Sequence, residues 1–547
     1  MYGSLMTETT PQASPPLAPP LAGRAQWLGL AVLVLPALLA AVDGTALYFA
    51  LPFLSADLRP STGQMLWIMD SYGFLLAGLL VPMGVLGDRF GRRRLLMAGA
   101  AAFGAASVVA AYATSAEMLI AARALLGVGG ATLAPSTIAL IRNMFHDKRQ
   151  RRTAIGIWTG AFAGGGVLGP VAGGVLLEHF WWGSVFLLNV PVMVLLLLAA
   201  PRLLPEYRDP APGRFDVVSA ALSFAAVLPV VYGIKTLAVD GWGTTPVTAV
   251  LAGLGVGAVF VHRQLHRPDP MIDLGLFRTR AFVAATVVVT VTMFTVIGVS
   301  LFTSQYLQLV LDLSPLRAAL WSLPPFLTMP VGITLATLLV RRVRVAYVVG
   351  SGLALAAAGV LGLSMLDAGR GDLGTMLAAA AVMTVGVGMV TTISTELVLG
   401  VAPPERAGAA SAMSETANEL GSALGIAVLG TIGAAVYRAQ VADSVPAGVP
   451  ATAVDAARET LGAADAVARA LPGGLGDALV RAADQAFVSG LHVTALVAAA
   501  VLAAAAVLAA VLLRDVPADA VVPAGDDEDD EDAAGYAARP AEELATV

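Results

Sequence analysis

Among the ionisable residues inside long apolar runs of this 547-residue chain are Asp43, Asp70, Arg123, Glu396, Glu415 and Glu419. Each run is near the ~20 residues needed to cross a bilayer. A charge near the bilayer centre costs roughly 2.5–3.5 kcal/mol on insertion scales, so such a residue is a functional candidate by default. Asp43 lies two-thirds along the first run and Asp70 a turn or two into the second. Glu415 and Glu419 are one helical turn apart on one face, and Glu396 stands near the end of its run. Burial favours the protonated form of a carboxyl, a second carboxylate favours it further, and a nearby cation favours the ionised form. A proton and a second cation would therefore compete for an acidic site built from such residues. Arg123 is expected to be a buried charge partner that registers the proton state, or else a plain structural salt bridge.

The composition fits a membrane setting. Apolar residues make up 57% of the chain, charged residues only 13%, and the mean hydropathy is +0.80, whereas a soluble domain carries about 25% charged residues. The net charge of −6 is unevenly placed. Residues 515–547 hold eleven acids against the single base Arg539, which leaves the rest of the chain at +4. There is no cysteine, so disulfides, thiolate metal sites and cysteine nucleophiles are excluded. The five histidines have no metal-ligand spacing, and neither Lys148 nor Lys235 belongs to a phosphate-binding P-loop. The expectation is a protein without metal or cofactor that does not hydrolyse ATP by that route and draws its energy elsewhere.

Fourteen apolar segments can be counted: 27–51, 64–86, 95–114, 118–140, 153–177, 184–200, 216–238, 245–262, 282–309, 316–340, 346–366, 373–399, 408–437 and 487–513. All are expected to be helices, because backbone polar groups in lipid must pair within their own segment. Residues 1–26 read as a disordered segment, 27–200 as one six-helix half and 201–265 as two inserted helices. Residues 266–514 read as the second half, with a long loop at 438–486 holding two short amphipathic helices, and 515–547 as an acidic disordered tail. If the N-terminus is cytoplasmic, 23 basic residues fall on the cytoplasmic side and seven outside, which orients both termini inward. A weak internal repeat, GVLGDRFGRRRLLMAG against TLLVRRVRVAYVVGSG, supports a two-halved bundle of the kind secondary transporters use.

Several motifs carry a family resemblance. The run Gly84-Val-Leu-Gly87-Asp88-Arg89-Phe-Gly91-Arg92-Arg93-Arg94 resembles the loop between the second and third helices of the major facilitator superfamily. Leu119-Ile-Ala-Ala-Arg123-Ala-Leu-Leu-Gly127-Val-Gly129 is similar to the superfamily's fourth-helix arginine motif. Gly165-Gly-Val-Leu-Gly169-Pro170-Val-Ala-Gly173-Gly174 matches the antiporter motif of its drug exporters. Fourteen spans, Asp43 ahead of Ala50-Leu51-Pro52, Trp67-Ile-Met-Asp70, and Gly408 followed by Asn418-Glu419-Leu-Gly421 resemble the fourteen-helix drug:proton antiporters of the quaternary-ammonium and methyl-viologen type.

The resemblance implies an all-α major facilitator fold in a bacterial inner membrane. It implies proton-driven export of hydrophobic, cationic drugs or antiseptics, or of an endogenous antibiotic. The partners implied are a drug-like small molecule, protons and membrane lipids, with no nucleic acid and a monomer as the working unit. Gly84, Asp88, Arg89, Gly91 and Arg92 would form a gating loop beside simple positive-inside anchoring. Gly165, Gly169, Gly173 and Gly174 give a smooth face for close helix approach, either a static seam or a hinge and leak seal, with a kink expected at Pro170. Trp67, Trp158, Phe302, Tyr306, Met293 and Met389 are candidates for a plastic, cation-tolerant pocket, or else for membrane-interface belts or plain packing. Two departures stand out. Trp181-Trp182-Gly183-Ser184-Val185-Phe186 replaces the family's usual aromatic motif before Asn189, and the tenth helix has Met329 where some dication exporters carry an acid. The second argues against efficient export of divalent cations. A proton symporter for nutrient uptake or a narrow metabolite exporter would share the fold, and the 165–174 motif is the residue-level reason to favour export.

Overall fold

A computed structural model of the chain describes residues 21–208, 216–239, 243–267, 274–368, 372–401, 407–445, 448–472, 474–514 and 516. The expected disordered start lies outside these residues up to position 20, and helix begins at Arg24, three residues earlier than expected. The expected acidic tail, apart from Val516, also lies outside them.

Every regular element among the described residues is helical. The first half holds α1 (Arg24–Leu58), α2 (Thr62–Phe90), α3 (Arg92–Ala111), α4 (Ala116–Met144), α5 (Lys148–His179), the short α6 (Ser184–Leu187) and α7 (Asn189–Leu203). The pair α8 (Val217–Val239) and α9 (Thr244–His266) follows. The second half holds α10 (Arg280–Gln305), α11 (Pro315–Phe326), α12 (Met329–Val340), α13 (Val345–Gly362), α14 (Leu373–Val401), α15 (Ala407–Gly425), α16 (Thr431–Ser444) and, after α17 (Ala451–Glu459) and α18 (Leu461–Ala468), the long α19 (Gly474–Leu512). Among the described residues twelve helical segments are long and apolar enough to cross a membrane. A thirteenth is α2, bent by 55° between Leu80 and Pro82, where the proline lacks the N–H that the helix needs. The apolar stretch of α8, Val217–Gly233, is shorter and stands where the seventh segment is expected.

Small residues set the close packing. Gly165, Gly169 and Gly173 present the backbone of α5 to α1: a Cβ at Gly165 would lie 2.9 Å from Ala41 Cβ, one at Gly169 2.9 Å from Val42 O, and one at Gly173 3.0 Å from Ala46 Cβ. The helix runs through Pro170 without a break. The inserted pair packs on the first half at α2, where Gly78 leaves room for the Phe224 ring. Phe74, Val231, Ala423 and Ala427 bury together where α2, α8 and α15 meet. By contrast α9 turns Leu251, Leu254 and Val259 outward, the face a lipid-contacting helix presents.

The last two spans also differ from expectation in their bounds. The last helix starts at Gly474 rather than near 487, because residues 474–486 continue its pattern as an overhang. The helix expected over 408–437 runs on to Ser444 through a π-helical turn at Ile426–Gly430, and the two short helices of the 438–486 loop are α17 and α18.

Candidate functional site

Five helices converge around Asp43 of α1 and Arg123 of α4. Its Nη1 pairs with Asp43 Oδ2 of α1 at 2.9 Å, and its Nε and Nη2 donate to Ile68 O and Met69 O of α2 at 3.1 and 3.4 Å. The Tyr72 ring lies under the guanidinium, 4.7 Å from its carbon. Asn189 of α7 donates to Asp43 Oδ1 at 3.0 Å and to Ser107 Oγ of α3 at 3.3 Å. Asp43 and Arg123 are each 2% exposed, so the pair is closed off from water and hydrogen-bonded on nearly every side. Breaking such a pair by removing one partner is costly, because it strands the other charge.

Beside this pair lies a cavity of about 310 Å³ between the halves. Asp70 comes from α2, Glu415, Asn418 and Glu419 from α15, and Arg123 closes the site from α4. The acids expected at Asp70, Glu415 and Glu419 are thus brought to one space, with Tyr48 and Tyr72 beside them. Asp43 is not among the lining residues; its ion pair with Arg123 ties it to the wall. Glu396 is also away from the cavity, half-buried near the end of α14. The separation has a simple cause: Glu396 lies on a different helix, while Glu415 and Glu419 share the α15 face turned to the interface.

The aromatic and methionine candidates divide in the same way. Trp158 and Met293 line the cavity. Trp158 stacks on Phe162 with ring planes 8° apart, and its Nε1 donates to Thr137 Oγ1 at 3.1 Å. Phe302 instead packs on Phe487 of α19, and Tyr306 Oη donates to Asp367 O at 3.0 Å. Trp67 joins the cluster around Phe74, and Met389 is buried in the core of the second half. Phe302 falls on the far side of α10 from the lining Met293, and Met389 belongs to α14, none of whose described residues lines the cavity.

From Tyr48, Asp70 and Arg123 at mid-depth, the cavity runs past Pro36, Leu80, Thr137 and Trp158 toward the face where α1 starts and the arginine-rich turns lie. At the opposite face the halves meet. A Cβ at Gly174 of α5 would lie 2.9 Å from Leu316 Cα and 3.0 Å from Pro315 O of α11, and one at Gly430 2.8 Å from Leu66 Cδ2 of α2. The glycines of the 165–174 motif therefore do different jobs: Gly165, Gly169 and Gly173 pack α5 on α1, Gly174 meets the other half, and Gly166 lines the cavity.

At the arginine-rich face Asp88 accepts from Arg92 Nε at 2.8 Å within one turn, and Arg92 Nη1 reaches Pro135 O at 3.5 Å. Arg89 lies over Phe90 at 5.8 Å, and Gly84 faces Pro135 across open van der Waals contact. Gly91 has φ +109°, a conformation glycine accepts without strain, and a Cβ there would collide with Glu206 Oε1. Sequence reasoning missed Glu206. Arg93 N donates to it at 3.2 Å, and Arg93 Nε and Arg94 Nε lie 3.5 and 3.6 Å from its Oε2. Its only signal was an acid in an otherwise basic stretch. Tyr48 and Tyr72 were missed too, since a tyrosine in an apolar run carries no mark of the helix it will face.

Two helical halves around a midplane cavity that holds Asp70, Glu415 and Glu419 define a multi-pass membrane transporter. The chain belongs to the Major Facilitator Superfamily, whose sequence profile matches residues 33–426. It is 46% identical to the multidrug efflux pump LfrA of Mycolicibacterium smegmatis, over 86% of this chain and 93% of that protein. It is 36% identical to the methyl viologen resistance protein SmvA of Salmonella typhimurium, over 85% of this chain and 93% of that protein. Among solved structures it resembles a bacterial homologue of the human lysosomal transporter Spinster, described as inward-facing and unoccupied, with a TM-score of 0.63, 18% identity, and coverage of 90% of this chain and 98% of the other. That likeness concerns the fold.

Proposed function

We propose that the protein is a proton-coupled exporter of hydrophobic cationic drugs across a bacterial inner membrane, with both termini and the cavity mouth on the cytoplasmic side. The observation that carries this reading is the meeting of Asp70, Glu415 and Glu419 in one cavity between the halves. Fixed carboxylates in a low-dielectric space attract a lipophilic cation and a proton alike, and the two exclude each other there. The apolar remainder of the wall, including Trp158, Phe162 and Met293, accepts varied shapes and offers ring faces to a cation. The multidrug and methyl viologen resistance relatives support the direction of transport. Asp43 acts through Arg123: a change in the pair alters how much positive charge Arg123 presents to the cavity. Protons entering from outside displace the drug, and the membrane potential adds ~2.3 kcal/mol per charge per 100 mV. The reading requires no cofactor, and the substrate, protons and surrounding lipid suffice as partners of a monomer.

The test is dye transport in everted vesicles with an imposed proton gradient. Wild-type protein is expected to move ethidium against its gradient, and a protonophore is expected to stop it. Glu419→Gln is expected to lower apparent affinity for the dye roughly tenfold, a loss of ~1.4 kcal/mol. Gradient-independent efflux would sink the coupling, and net movement in the opposite direction would favour a symporter.

A further inference from the structure

The segment between α16 and α19 takes no part in the cavity, yet it joins the two halves across the closed face. Tyr437 Oη of α16 donates to Ala457 O at 2.8 Å, which fastens α17 to its own half. Two residues on, Glu459 reaches the other half. Thr62 N donates to Glu459 Oε2 at 2.9 Å, and Thr62 Oγ1 donates to Glu459 O at 2.8 Å and to Oε2 at 3.2 Å. The carboxylate thus takes up one of the N–H groups left unpaired at the start of α2, where the helix dipole also favours an anion. At the head of α18, Gly462 comes so close to α1 that a Cβ there would lie 2.8 Å from Ser55 Cβ and 3.3 Å from Pro52 O.

We propose that α17 and α18 form a strap across the closed face, and that the Glu459–Thr62 contact parts each time this face opens. The geometry leaves little choice if the halves separate there: Tyr437 holds the strap to the second half, and Thr62 and Ser55 belong to the first. Both partners are returned to water when they part, so neither is stranded as a buried polar group. The strap therefore biases the protein toward the state with its cavity open to the arginine-rich face without locking it. The proposal rests on the exporter reading only in requiring that the halves rock.

The absence of native cysteine makes the test direct. Thr62→Cys combined with Glu459→Cys is expected to transport dye while reduced, to stop when oxidised to the cross-link, and to recover on reduction; each single variant should ignore the oxidant. Complete cross-linking with undiminished transport would overturn the strap, since it would then ride with the first half. A second measurement does not depend on transport. Leu66→Cys, placed against Gly430 at the closed seam, should react faster with a membrane-impermeant charged thiol reagent once Glu459→Gln is added. An unchanged labelling rate would equally overturn the strap. If even the unmodified protein moves no dye, the exporter reading falls, and the labelling result still decides the strap.

Discussion

Arg123, one of the residues lining the cavity, is held on nearly every side. Three of its contacts are to Asp43 and to two α2 carbonyls, and the Tyr72 ring covers its face. Removing the Asp43 charge leaves the guanidinium without its ion-pair partner, so that its charge is turned on the acids of the cavity it lines. Asp43→Asn is therefore expected to abolish proton-driven dye efflux in everted vesicles while the protein still inserts and purifies as a folded monomer. Efflux at the wild-type rate would exclude Asp43 from coupling. The residue list itself was legible in the sequence, because an acid in an apolar run stands out by its insertion cost. Which acids share a space was not. Asp43 and Asp70 look alike along the chain, but the turn of α1 points Asp43 at Arg123 and Asn189, while Asp70 faces the cavity.

Single helices carry distinct loads. In α5, Gly169 lies within the first half and Gly174 at the contact between halves. Gly169→Val must push α1 away, and overpacking of this kind costs about 1–3 kcal/mol, so a lower melting temperature in detergent is expected. Gly174→Val should instead leave the half intact and loosen the α5–α11 closure, read as faster proton leak across vesicles. Equal thermal destabilisation by both would show that Gly174 is only a packing residue.

The α8–α9 pair is tied at its arginine-face end by Asp216, which pairs with Arg263 Nη2 at 3.0 Å and with Arg267, and accepts from Ser219 N at 3.1 Å. Burial opposes ionisation of Asp216, but the hydrogen bonds from Arg263 and Ser219 and the charge of Arg267 outweigh it and hold the carboxyl well below the usual range. Its folded value is thus lower than the unfolded one of about 3.9. The stabilisation is fully present above that pH and is lost as pH falls through the folded value. Asp216→Asn is expected to cost about 2 kcal/mol at neutral pH, seen as a lower unfolding midpoint whose gap from wild type closes in strong acid. A gap that persists there would assign the loss to packing rather than charge.

At the scale of the whole molecule, the cavity is open toward one face and the halves touch at the other. Ala163, an exposed lining residue on α5, reports this asymmetry. Ala163→Cys should be labelled by an impermeant thiol reagent applied to the arginine-rich face and protected from the opposite face. Addition of a transported cation should slow the labelling. Equal labelling from both faces would mean a continuous pore and would favour a channel over alternating access.

Much of this architecture was determined by the sequence alone. Apolar length, scarcity of charge, the arginine bias of alternate turns and the 84–94 and 165–174 motifs are local properties, and lipid leaves a chain of that kind little besides helices. The tertiary structure decided what depends on rotation about helix axes and on contacts distant in sequence. It separated Asp43 from the cavity acids, left Glu396, Phe302 and Tyr306 elsewhere, split the glycine motif between two neighbours, and brought Glu206 to Gly91 and Glu459 to Thr62. The hydrophobic pattern in a membrane helix is nearly uniform around its circumference, so it marks a span without marking the face that meets another helix. Only the packing of the halves supplies that.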